Sequence, residues 1–155
     1  MARNSSKINH SQKVADELTH LLADTYTLYL KTQNFHWNVK GPLFPSLHTL
    51  FEEQYKELAE AIDTIAERIR ALEAHTPASF SAFQKMASIK DEIRTKLSAG
   101  EMLKTLLHDH DVIAKSLVGI SEKAREAEDE GTLDLLTERL RAHEKTAWML
   151  RSSLE

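Results

Sequence analysis

Four stretches of about 20–30 residues, in which apolar side chains recur every three to four positions, make up most of this 155-residue chain. They run over about 10–38 (Val14, Leu18, Leu21, Leu22, Leu28, Tyr29), about 45–74 (Leu47, Phe51, Leu58, Ile62, Ile65, Ile69, Leu72), about 100–128 (Leu103, Leu106, Leu107, Ile113, Leu117, Ile120) and about 132–153 (Leu136, Leu140, Ala147, Leu150). Each has one apolar stripe at helical period, which must be buried against another helix. Chain breakers are scarce, with 4 Gly and 3 Pro. An all-β fold needs turn residues every ~8–12 positions, and this chain cannot supply them. The breakers fall mostly between the stretches: Gly41, Pro42 and Pro45, then Pro77, then Gly100 and Gly131. Gly119 alone lies inside a helical stretch.

The expected fold is therefore all-α: a four-helix bundle with a long connection at 75–99, into which a short extra helix at about 79–87 fits. A long crossover between the second and third helices is a property of ferritin-like bundles. Residues 1–9 read as a flexible N-terminal tail and 10–155 as one bundle domain. Absence of Cys excludes a disulfide scaffold, a thiolate zinc site and a thiol nucleophile. No run approaches the ~18 apolar residues of a membrane span, and the polar start MARNSSKINHSQK is no signal peptide. A soluble cytoplasmic protein without a membrane partner is expected. With 20 Lys and Arg against 24 Asp and Glu, the overall charge is not that of a basic nucleic-acid binder.

The second helix carries a second stripe. With Leu58 set at zero and ~100° per residue, the apolar positions fall within about 40° of zero, whereas His48, Glu52, Asp63 and Glu67 fall at about 80°, 120°, 140° and 180°. These metal-ligand types point away from their own core. Glu52 and Asp63 are about 16 Å apart along the axis, so one helix cannot bring all four onto one ion. An antiparallel copy, related by a two-fold axis near residue 58, sets 48/52 of one subunit against 63/67 of the other and makes two sites. Ala59 lies on this stripe and permits close approach. The turn at Gly41-Pro42 folds the chain back, placing His36 within reach of His48. Two imidazoles with three carboxylates suit an iron-type cation with open positions, whereas an all-oxygen set suits Mg²⁺ or Ca²⁺. The competing reading is a solvated acidic face with structural histidines.

Residues 31–69, KTQNFHWNVKGPLFPSLHTLFEEQYKELAEAIDTIAERI, strongly resemble the Dps family of ferritin-like mini-cages, as does LTERLRAHEKTAWMLRS at 136–152. The resemblance implies a hollow homododecamer built from two-fold dimers. Such a shell oxidises Fe²⁺, preferably with hydrogen peroxide, and stores Fe³⁺ as mineral, protecting DNA from oxidative damage. It also implies that the ferroxidase ligands are His36, His48, Glu52, Asp63 and Glu67, shared between two subunits. Many members carry Asp where this chain has Glu52, which keeps the carboxylate and adds a methylene. Trp37 is implied to intercept oxidising equivalents beside the iron; its competing reading is a core or interface residue. Asp129, Asp134 and Glu138 are implied to line acidic pores for iron entry, against an ordinary solvated patch.

The rival function is non-specific DNA binding through the N-terminal tail, where residues 1–15 carry Arg3, Lys7 and Lys13 and no acid. Twelve such tails on one shell would act multivalently and place the protein at the nucleoid. A purely structural shell is the third reading, and the intact ligand set argues against it. Glu17-x-x-His20 is half of a ferritin-type arrangement that needs two copies and is read as coincidental. His108 and His110 are about 200° apart on a helix and are not read as one ion site. His143 is read as a packed structural residue.

Overall fold

The computed structural model describes the backbone of residues 2–155 and the side chains of residues 10–155. Among the described residues five helices follow in order: α1 (Ala2–Asn38), α2 (Phe44–Ala71), α3 (Phe80–Met86), α4 (Ala99–Glu126) and α5 (Glu130–Ser152). Among the described residues there is no strand. The four long helices match the four expected stretches, and α3 is the short helix of the connection. The backbone of α1 reaches Ala2 instead of starting near residue 10, because no Gly or Pro interrupts 2–9. The side chains of residues 1–9, on which the expected tail falls, lie outside the described residues.

Side-chain pairs set the directions. His36 meets His48 and Tyr29 meets Tyr55, so α1 and α2 are antiparallel. Lys31–Asp109 and Glu17–Lys123 make α1 and α4 antiparallel. Arg68–Asp129 and Arg139–Glu57 do the same for α2 and α5. Consequently α2 and α4 run parallel, and the segment between them has to travel the length of the bundle, as in a ferritin-like crossover. Buried Asp24 pins this segment to α1: its carboxylate accepts the backbone N–H groups of Ser88 (2.6 Å) and Ile89 (3.1 Å). Burial raises the Asp24 pKa, and those two hydrogen bonds partly offset the rise.

One apolar core runs through the bundle, including Leu18, Leu22, Leu28, Phe35, Phe51, Leu58, Ile65, Ile69, Leu106, Ile113, Leu117 and Leu150. Each such side chain contributes roughly 1.5–3 kcal/mol of transfer free energy. Helix starts follow sequence signals: Ser98 and Glu101 form a reciprocal capping box on α4, Ser79 caps α3 and Asp129 caps α5. Helix ends do not. α2 and α4 close in Schellman turns whose left-handed residues are Glu73 (φ 65°) and Glu128 (φ 55°). The closing bonds run from Ala74 N–H to Ile69 C=O and from Asp129 N–H to Ala124 C=O. Glycine is the usual occupant there, so these helices stop earlier than the pattern suggests.

Candidate metal centre

The Gly41 turn (φ 110°) brings the end of α1 back against the start of α2. His36 and His48 stack with ring centroids 3.8 Å apart and planes 14° apart. Each donates reciprocally: His36 Nδ1 to the His48 carbonyl and His48 Nδ1 to the His36 carbonyl, both at 2.7 Å. A carbonyl oxygen only accepts, so each Nδ1 carries a hydrogen, and in the neutral ring the lone pair lies on Nε2. This outer bonding orients a metal-ligating imidazole. Phe44 stacks on His48 at 5.0 Å, and Tyr55 meets His36 edge-on at 5.3 Å. Two further aromatic rings thus pack against the pair.

Glu52 lies one turn beyond His48 and is half-buried. The Lys56 ammonium bonded to it holds its carboxyl below the usual range, and the two imidazoles add a smaller effect in the same direction. Asp63 and Glu67 are exposed further along α2, with Ala59 exposed between the two pairs. Among the described residues no three His, Asp or Glu side chains of one chain converge to hold a metal ion. The structure therefore unites His36 and His48 beside Glu52, and leaves Asp63 and Glu67 apart from them on the same outward face.

Trp37 is 63% exposed, so the core alternative for it does not hold. It lines a groove with Leu30, Phe80 and Ile93 between α1, α3 and the connection. Asp129 is engaged within its own chain: it accepts from the Thr132 N–H and hydroxyl and pairs with Arg68. A Cβ on Gly131 would meet that guanidinium at 3.0–3.1 Å, so glycine is what lets Arg68 lie across the start of α5. Asp134 and Glu138 are exposed at i,i+4. Glu17 pairs with Lys123, and His20 Nδ1 bonds the Met86 carbonyl, so these two do not form a metal pair. Of the basic residues assigned to DNA, Arg3 and Lys7 have side chains outside the described residues; Lys13 is exposed.

The bundle interior also contains a polar layer that helical periodicity alone did not pick out. Lys31 and Asp109 form a buried ion pair at 2.6 Å. Arg139, held by Glu57, lies 3.4 Å from His143 Nε2, and His143 Nδ1 lies 2.8 Å from His110 Nδ1. Arginine only donates. His143 therefore accepts at Nε2 and donates from Nδ1, and neutral His110 holds its hydrogen on Nε2, which is buried without a protein partner. No lone pair is left there for a metal. Gln54, also buried and without a partner among the described residues, lies at the same level by the Tyr29–Tyr55 and Glu57–Arg139 registers. One signal was available: His110 occupies a core-stripe position between Leu106 and Ile113. His108 is exposed on the opposite face.

The Ferritin-like domain family model matches residues 15–155. A low temperature-induced protein of Nostoc is 41% identical over 145 residues, covering 93% of this chain and 81% of that one. The DNA protection during starvation protein of Brevibacillus brevis is 39% identical over 149 residues, covering 96% and 99%. The crystal structure of a Dps protein from Vibrio cholerae, described as a member of the ferritin-like diiron-carboxylate superfamily, superposes with a TM-score of 0.91 at 36% identity, covering 96% and 92%. Sequence similarity over nearly the full length of both chains, together with the same backbone, is more than a shared helical architecture, and the chain belongs to the Dps family of ferritin-like proteins.

Proposed function

We propose that this chain is the subunit of an iron-binding, DNA-protecting mini-ferritin: a hollow homododecamer of two-fold dimers that oxidises Fe²⁺ with hydrogen peroxide and stores Fe³⁺ as mineral. The observation that carries the reading is the His36–His48 pair, with both Nδ1 atoms used on backbone carbonyls, which leaves Nε2 of each neutral ring for a ligand, one helical turn before Glu52. A second copy, antiparallel about an axis near residue 58, would supply Asp63 and Glu67 to complete the set. Two imidazoles and three carboxylates fit iron as substrate, because anionic oxygen ligands favour Fe³⁺ over Fe²⁺. Two Fe²⁺ give up one electron each. The peroxide takes both, its O–O bond breaks, and it leaves as two hydroxides, so no hydroxyl radical is released. DNA is protected by removal of both reactants, which requires no DNA contact.

Anaerobic Fe²⁺ loading followed by peroxide tests this. Ferric absorbance is expected to rise with one peroxide consumed per two Fe²⁺, with the iron retained on a particle of dodecamer mass. Oxidation at the rate of protein-free buffer, or iron left in the low-mass fraction, would overturn the reading. Asp134 and Glu138 are proposed as pore acids that attract Fe²⁺ to the shell. The Asp134→Asn/Glu138→Gln protein is expected to take up Fe²⁺ more slowly at low ionic strength, with particle mass unchanged. Equal uptake rates would remove the pore assignment.

A further inference from the structure

Lys56 is a cation within the ligand stripe. On the wheel used above it lies at about 160°, between Glu52 at about 120° and Glu60 at about 200°. The three residues form one i,i+4,i+8 row, and the ammonium is bonded to Glu52 rather than to Glu60. This choice agrees with helix electrostatics, since a Glu four residues before a Lys is the better pair and the reverse order the weaker. The bond occupies a carboxylate assigned above as an iron ligand. A divalent cation and an ammonium cannot share that carboxylate at contact distance, because like charges repel.

We propose that Lys56 is a two-position latch on the metal site, holding Glu52 when the site is empty and transferring to Glu60 when a divalent cation arrives. Lys56 thereby sets the Fe²⁺ concentration at which the site fills. With Lys56 on Glu52, the charge of that carboxylate is neutralised. Entry of the metal exchanges one ion pair for another within a turn of helix, so the ammonium does not remain as an unpaired charge. The inference rests on the metal-site reading above and adds a positioning residue to it.

Zn²⁺, which undergoes no redox chemistry, is the probe, titrated into the full-length protein at verified particle mass. Lys56→Gln is expected to bind Zn²⁺ about twofold more tightly, the range of one exposed i,i+4 ion pair, with the difference shrinking as salt is added. Lys56→Arg, whose guanidinium holds a carboxylate bidentately, is expected to bind Zn²⁺ more weakly than the parent. Glu60→Gln is also expected to bind more weakly, because the ammonium loses its destination. A merely structural role for Lys56 would not move the Gln and Arg variants in opposite directions. If all three variants bind Zn²⁺ with the parent affinity while His36→Ala/His48→Ala has lost binding, the latch is refuted and the site stands. If the double-histidine variant still binds Zn²⁺ as the parent does, the site reading itself fails.

Discussion

The His36→Ala/His48→Ala protein is expected to assemble as the parent does while its peroxide-dependent Fe²⁺ oxidation falls by about 100-fold or more. Loss of a single supporting group around a metal ligand already costs roughly 10–100-fold, and this variant removes two ligands at once. Assembly is expected to survive because, among the described residues, the deleted rings contact each other, each other's backbone and the Phe44 and Tyr55 rings. Alanine also favours helix at both positions. Stopped-flow absorbance after peroxide addition measures the rate, and light scattering with far-ultraviolet circular dichroism establishes that the particle is intact. A parent-like rate in an intact particle would sink the assignment of both histidines.

Acid is expected to destabilise the bundle from within. Burial pushes the His110 pKa from 6.5 down to about 3 and moves His143 in the same direction, with Arg139 beside the pair adding to the effect. The geometry explains why: His143 donates to His110, and an added proton would set two N–H groups against each other in the core. Both histidines are neutral when folded and readily protonated when unfolded. The unfolded chain therefore binds more protons below pH 6.5, and stability falls as pH falls from there toward about 3. His110 costs up to about 1.4 kcal/mol of stability per pH unit in that window, and His143 acts in the same direction.

Asp24 and Asp109 act in the opposite direction. Burial raises both, so the folded chain binds their protons more readily, an offset to the histidine effect as pH falls. Denaturant unfolding at several pH values between 7 and 4 is the measurement. In His110→Leu/His143→Leu the slope of stability against pH is expected to flatten. If that double variant retains the parent slope, the histidine pair is not its origin.

The features legible in the sequence are those written locally. The four stripes specified four helices because helical period is a property of each segment alone, and Ser79, Ser98 and Asp129 mark helix starts because a cap needs only the next turn. The split between the core stripe and the stripe of His48, Glu52, Asp63 and Glu67 was likewise visible, and the exposure of Ala59, Asp63 and Glu67 follows it. The extent of α2 and α4 was not, because Glu73 and Glu128 take left-handed conformations that their residue type does not announce.

Sequence by itself determined an all-α chain with its candidate ligands turned away from its own core, since side-chain direction on a helix follows from residue spacing. The tertiary structure decided what long-range neighbours alone can decide. It locked His36 on His48 through reciprocal backbone bonds across the Gly41 turn, tied Asp129 to Arg68, and gathered Lys31, Gln54, Asp109, His110, Arg139 and His143 from four helices into one buried layer. A hydrogen bond needs a partner within about 3 Å, and residues 12 to 78 positions apart come within that distance only once the helices have chosen their order and register.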